Sequence, residues 1–185
     1  MVEIRPFRSL SPKSEWASSV ASPPYDVVRT EEARAMVESN PLSFLRVVRA
    51  EVNAPEGVDI YSDEVYQSGR AQLAKWVEEG IFERGLKPCF YLYEQVMGTH
   101  RQTGLVGLAS CIEYDQEKVR IHEYTRPDKE RDRVRHIEAL GVQSGPVFLA
   151  YQQPKSLKER FAQIQSLSPW VDFVAEDGVG HRCWK

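Results

Sequence analysis

The chain is poor in cysteine: Cys89, Cys111 and Cys183 are the only three in 185 residues. They are odd in number and far apart, with no CxxC, so neither a zinc site nor a redox dithiol is indicated. Cys89 and Cys111 stand in apolar runs and read as small buried residues. No stretch approaches the ~20 apolar residues of a membrane helix. The opening MVEIRPFRSL lacks the apolar core of a signal peptide, so the cytoplasm is the expected compartment and no membrane partner is expected. Excess positive charge is lacking too. Net charge is −3 and the pI is about 5.9, which argues against nonspecific nucleic-acid binding and leaves DNA outside the expected partners. No repeat or low-complexity tract occurs.

What is present fits a globular protein. A chain that is 42% hydrophobic and 28% charged can bury a core of its own. Residues 2–7 predict a short strand that Pro6 places at an edge. Residues 21–28, ASPPYDVV, form a stiff loop in which Pro23 and Pro24 fix φ and Asp26 can bond nearby amides. Thr30 reads as the N-cap of a helix to Ser39, stopped by Asn40-Pro41, and SFLRVV (43–48) is a β-rich run. From Ser62 to Glu79, Val65, Tyr66, Gly69, Leu73, Trp76 and Val77 recur at helical spacing, and Gly80 supplies the stop. Strands are expected at 89–97, 101–114 and 119–124, as an antiparallel meander whose first turn is Gly98-Thr99-His100. A helix from Pro127 to Leu140, a buried strand at 146–151, a helix over 156–166 and a hairpin over 171–184 follow. The class is α+β, with a mixed, largely antiparallel sheet flanked by helices.

The most function-like feature is His122–His136, HEYTRPDKERDRVRH. Arg126, Lys129, Arg131, Arg133 and Arg135 nearly balance Glu123, Asp128, Glu130 and Asp132, so the run is not a nucleic-acid arm. It passes from a strand end into a helix, with Thr125 or Arg126 as N-cap and Pro127 in the first turn. A helix N-terminus suits a phosphate or carboxylate. Lys129, Arg133 and His136 share one face that could hold an anion, and Asp128, Asp132 and Arg135 share another suited to local ion pairs. Glu123 could act as a general base if burial raises its pKa. A solvated helix with surface histidines is the competing reading. His122 and His136 are too far apart for HExxH, so no metal is expected there.

HEYTRPDKERDRVRHIEAL resembles the characteristic stretch of the family called domain of unknown function 1015. RPFRSL (5–10), SPPYDVV (22–28), NPLSFLRVVR (40–49), YEQVMGTHRQTGLVG (93–107), SGPVFLAY (144–151) and VDFVAEDGVGHRCW (171–184) extend the resemblance over nearly the whole chain. It implies a larger ParB/sulfiredoxin-like fold, of which residues 1–185 are one α+β unit at the amino-terminal side, ending before a DGHHR-type phosphate-binding motif. Asp177-Gly178-Val179-Gly180-His181-Arg182 is only superficially similar to that motif. Relatives include free-serine kinases, so the resemblance implies a small-molecule kinase acting on a hydroxyl, with ATP or ADP and Mg2+. The alternative is a ParB-like nucleotide-binding regulatory or DNA-associated module without catalysis. In the kinase reading Glu123, or else Asp26, takes the proton from the substrate hydroxyl. Arg126, Lys129 and Arg133 neutralise phosphoryl charge, and Thr125 lies at the helix start beside them. His122 and His136 orient these groups, and Pro23, Pro24 and Tyr25 wall the pocket. Tyr124 stands where many members carry His. The partners implied are a small-molecule substrate and a nucleotide, with self-association left open.

Overall fold

A computed structural model describes residues 2–121 and 124–185. The strands, in chain order, are β1 (Ile4–Arg5), β2 (Leu10–Pro12), β3 (Phe82–Arg84), β4 (Tyr91–Met97), β5 (His100–Val106), β6 (Leu108–Ala109), β7 (Val171–Val174) and β8 (Gly180–Trp184). The α-helices are α1 (Ala17–Val20), α2 (Thr30–Ser39), α3 (Leu45–Val48), α4 (Asp63–Glu78), α5 (Cys111–Asp115), α6 (Pro127–Leu140) and α7 (Lys155–Gln165). The α+β class holds. None of the described helices is long and apolar enough to cross a membrane.

Two compact units divide the chain. One takes residues 1–18, 84–122 and 149–185; the other takes 19–83 and 123–148. The first is built on a four-stranded antiparallel sheet in the order β5-β4-β8-β7. β4 and β5 form the expected hairpin, turning at Gly98 with φ +58°. β7 and β8 form the other, through Asp177-Gly178. α7 covers one face, where Phe161, Leu157 and Ile164 pack against Leu92 and Trp184. Side chains alternate between the two faces along these strands, so Leu92 and Trp184 share the face that α7 covers.

The second unit is mostly helical. Ser62 caps α4 by accepting from the Val65 amide, and Gly80 ends it with φ +71°. The cap of α2 lies one residue earlier than expected: Arg29 is the N-cap and Thr30 the first helical residue, and Glu32 Oε2 accepts the Arg29 amide at 2.8 Å. Val28, Ala33, Val37, Leu45 and Val52 form the core beneath α2, while Trp76 stacks on Phe82 at 5.9 Å. A 3-10 turn over Ala50–Asn53 is pinned by Arg34, whose guanidinium donates to the carbonyls of Glu51, Val52 and Ala54.

Four expected elements are corrected. SFLRVV is not a strand: Leu45–Val48 is a single helical turn with Leu45 and Val47 fully buried. Burial alternates along it as in a strand, but Ser43 Oγ accepts the Leu45 amide, and Arg46 reaches the Val37 carbonyl and Asn53, so local bonds override β-propensity. The 101–114 run breaks after Val106. β6 pairs instead with β1, and Ser110 caps α5, leaving Cys111 exposed where burial was expected. Residues 119–121 are not strand, and the rest of that expected strand includes His122 and Glu123, outside the described residues. Residues 146–151 are neither strand nor buried: Val147, Phe148 and Tyr151 are more than half exposed, because no sheet strand pairs with them. The third member of the sheet is therefore β8, brought back from the end of the chain.

Gly69 shows how tightly the helical unit packs. A Cβ there would meet the Val47 carbonyl oxygen at 2.9 Å and Ala50 Cβ at 3.0 Å. Glycine to alanine inside a helix ordinarily stabilises by about 1 kcal/mol. Here Gly69→Ala is expected to destabilise by ~1–3 kcal/mol, because the backbone contact cannot give. Urea denaturation midpoints would check the sign.

Candidate functional site

The charged helix α6 runs from Pro127 to Leu140 as its sequence predicts. Arg126 is the N-cap and Pro127 fills the first position, where a missing N–H costs nothing. Gly141 ends it in the left-handed region at φ +68°. The helix start already carries its own anion. Asp128 accepts from Arg126 Nε and Nη2 at 3.2 and 2.7 Å, and that bond holds its carboxyl below the ordinary aspartate range. The amides of Lys129 and Glu130 both turn back to the Arg126 carbonyl. Thr125, Arg126 and Lys129 are exposed. An incoming phosphate at this end would compete with Asp128.

One turn further, the side chains enter the unit. Asp132 accepts the Tyr66 phenol at 2.7 Å and a fork from Arg133, Nη2 at 2.7 Å and Nε at 3.1 Å. Burial alone would push the Asp132 carboxyl up, but the bonds from Tyr66 and Arg133 outweigh it and hold the group low. Burial and the facing carboxylate push the Tyr66 phenol far up. This leaves an ionised aspartate as acceptor and a neutral tyrosine as donor. Asp132 also fixes the plane of Arg133, whose guanidinium lies over the Tyr25 ring, 4.2 Å from its centroid. Arg135 covers the Tyr66 ring at 4.7 Å and pairs with Asp63 at 2.8 Å.

The SPPYDVV loop therefore meets the charged helix through Tyr25 and Arg133. Within the loop the Val27 amide closes a turn on the Pro24 carbonyl. Behind it Arg49 Nη1 donates to the Tyr25 carbonyl at 3.4 Å, and Nη2 to Thr30 Oγ1 at 2.9 Å. Arg49 Nε lies 2.9 Å from the buried Glu51 carboxylate without the alignment of a hydrogen bond. Asp26 is exposed, as is Pro24, while Pro23 and Tyr25 are half-buried.

Of the other sequence candidates, His136 departs most from a surface histidine. It is only 3% exposed, and its Nε2 donates to the Val47 carbonyl at 3.0 Å, tying α6 to α3. Lys129, Arg133 and His136 do share one stripe, but the stripe descends from exposed through half-buried to buried. Asp128 and Asp132 pair with Arg126 and Arg133 rather than with Arg135. His122 and Glu123 lie outside the described residues.

Over residues 4–185 the chain matches the family described as protein of unknown function (DUF1015). The chain belongs to that family. No curated protein and no solved structure matches it. In this DUF1015 chain the family-like blocks SPPYDVV and NPLSFLRVVR and the helical part of HEYTRPDKERDRVRH thus converge in one unit, through Tyr25, Arg49 and Arg133. Sequence reasoning passed over Arg49, read Asp132 only as a local ion-pair residue and took Tyr66 as core. Tyr66 reads as a core position by its spacing, and only its polar tip, once half-buried, demands a partner.

No three His, Cys, Asp or Glu among the described residues converge as a metal cluster; the magnesium of a nucleotide, which takes most of its ligands from phosphate and water, needs only one or two carboxylates. The Asp177–Arg182 turn spends its donors on itself and the sheet. The Gly178 amide bonds the Ala175 carbonyl, the Val179 amide bonds Asp177, and Arg182 reaches Asp172 and Glu94. Glu94 is itself a buried carboxylate, accepting from Arg101, Thr103, Gln165 and Arg182. Asp172, Arg182, Glu94 and Thr103 form one row across the four strands, a structural arrangement in which each polar group finds a partner.

Burial holds the pKa of His136 below its ordinary value of 6.5. Above that value both folded and unfolded chains are neutral there, and the stabilising contact to Val47 is complete. As pH falls below it the unfolded chain gains a proton that the folded one resists, so stability declines toward the folded pKa. His136→Gln keeps a donor but cannot titrate. It is expected to flatten the stability profile from about pH 7 to about pH 5 relative to the parent. Parallel chemical denaturation series at each pH would show whether the two profiles converge in acid.

Proposed function

We propose that this DUF1015 chain carries the substrate side of a site that transfers a phosphoryl group to a small-molecule hydroxyl, in the manner of a free L-serine kinase. The observation that supports this is the Arg133 guanidinium carbon lying over the Tyr25 ring, 4.2 Å from its centroid. It joins the two blocks of sequence that the kinase reading assigns to one pocket. With Nε and Nη2 committed to Asp132, the Arg133 plane is pre-oriented, and its Nη1 group is left outside that fork for a ligand oxygen. Lys129, one turn back and exposed, would add a mobile point charge.

In this reading Glu123 would take the hydroxyl proton, with Asp26 as the second candidate on the facing loop. ATP or ADP with magnesium would supply the phosphoryl group. What the present residues contribute is orientation and neutralisation of a phosphorylated product or substrate, the larger part of catalysis where charge spreads over phosphoryl oxygens.

The product-side prediction uses the chain itself. O-phospho-L-serine, titrated into labelled protein, is expected to shift the amide resonance of Tyr25 and the guanidinium resonance of Arg133 in a saturable way. Arg133→Ala should weaken it about tenfold, the loss of one charge-assisted contact. Resonances that stay in place up to the solubility limit would remove the proposal.

A further inference from the structure

Two arginines of the helical unit hold Tyr25. Arg133 covers its ring at 4.2 Å, and Arg49 Nη1 donates to its carbonyl at 3.4 Å. Each guanidinium is backed by a carboxylate sunk in the unit. Asp132, its side chain 13% exposed, stands behind Arg133, and Glu51, at 8%, stands behind Arg49. The two pairs differ in kind. Asp132 Oδ2 accepts an aligned fork from Arg133 Nε and Nη2. Glu51 Oε1 lies 2.9 Å from Arg49 Nε with the N–H out of line, so that buried nitrogen has no hydrogen-bond partner. Attraction between opposite charges depends on distance and medium, not on the direction of the N–H. The Arg49–Glu51 pair is therefore held by charge rather than by alignment.

The backbone at Glu51 is fixed without its side chain. Arg34 donates to the carbonyls of Glu51, Val52 and Ala54 and holds that turn in place. What the Glu51 carboxylate governs is Arg49. Thr30 Oγ1 accepts Arg49 Nη2 at 2.9 Å and itself reaches Glu51 Oε1 at 3.5 Å. The bond from Arg49 to the Tyr25 carbonyl is long, and so weak a bond restrains a loop only while its donor is held.

We infer that Glu51 is a positioning residue of the candidate site: through Arg49 it sets the Tyr25 loop against Arg133, and so shapes a ligand subsite that it does not touch. Only the ligand-binding consequence rests on the phosphoryl-transfer reading. A carboxylate near an anion site would, as a bare charge, repel the ligand, and Glu51→Gln would then tighten binding. A positioning role gives the opposite sign. The neutral amide leaves Arg49 without its counter-charge, the guanidinium turns toward water, and the Tyr25 loop loses its support. Glu51→Asp is one methylene shorter but keeps the charge that does the holding.

In the ligand-free labelled chain, the Arg133 side-chain protons are expected upfield, shifted by the Tyr25 ring current. Glu51→Gln should lose most of that shift while unfolding cooperatively on heating, and Glu51→Asp should retain it. O-phospho-L-serine should bind Glu51→Gln about tenfold more weakly than the parent despite the added positive charge, and Glu51→Asp within about threefold of the parent. An Arg133 shift unchanged in Glu51→Gln, or glutamine and aspartate variants that behave alike, would overturn the inference. So would tighter phosphoserine binding to Glu51→Gln, the mark of a bare charge. If Glu51→Gln does not fold, Arg49→Lys takes its place: it keeps the ion pair but not the fork that spans Thr30 and the Tyr25 carbonyl. It should lose the same shift, and an intact shift there counts against Glu51. A parent chain that binds no phosphoserine would remove the proposed function, and the ring-current shifts then decide the role of Glu51 by themselves.

Discussion

The Asp132 carboxylate is the contact on which the helical unit's site depends. It is nearly buried, and it stays ionised because Tyr66 and Arg133 both donate to it. Removing either donor would strand a charge in a medium that solvates it poorly, which costs more than the bond itself contributes. Tyr66 brings α4 to α6, and Arg133 brings α6 to the Tyr25 loop. One carboxylate therefore sets the relation of three chain segments far apart in sequence. Arg49 repeats the arrangement behind the loop, where a half-buried guanidinium is shared among Glu51, Thr30 and the Tyr25 carbonyl.

The sheet unit solves a different problem. A buried Glu94 would be prohibitive alone, yet four donors from β5, β8 and α7 surround it. Because side chains alternate across a strand, putting every charge on that face leaves rings and amides for the opposite one. The 2.6 Å bond between the Tyr93 hydroxyl and His181 Nδ1 then follows from register: Tyr93 faces Cys183 on β8, and His181 sits two residues along the same face. Each unit uses a polar contact rather than bulk burial to orient its most chemically capable side chains.

Much of the fold was legible locally. α4, α6, α7 and both hairpins follow from periodicity, caps and Gly-containing turns, and α6 begins and ends where Arg126-Pro127 and Gly141 dictate. The misreadings share a cause. SFLRVV, the described VRI (119–121) and PVFLAY are β-rich runs, and β-propensity only states fitness for a pleated, half-buried surface. Whether a neighbouring strand exists to pair with is a long-range matter. For 43–48 the local bonds of Ser43 and Arg46 decided for a helical turn, and among the described residues no strand pairs with 146–151. Cys111 followed its run: once Ser110 caps a helix, the apolar stretch ends and the thiol faces solvent.

By itself the sequence determined composition class, most helix boundaries, the stiffness of the Pro23-Pro24 loop and the residues from which a site could be made. It also carried the likeness that the family match over residues 4–185 bears out. Tertiary structure alone decided which of those residues meet. Helical spacing places Lys129, Arg133 and His136 on one stripe, but only packing against α3 buries His136 and leaves Lys129 in water. Strand alternation puts Tyr93 and Glu94 on opposite faces, but only register sets Gly104 beside one and Arg182 beside the other. The physical reason is the same in both cases: periodicity is a property of one segment, whereas burial, charge pairing and open space are properties of two.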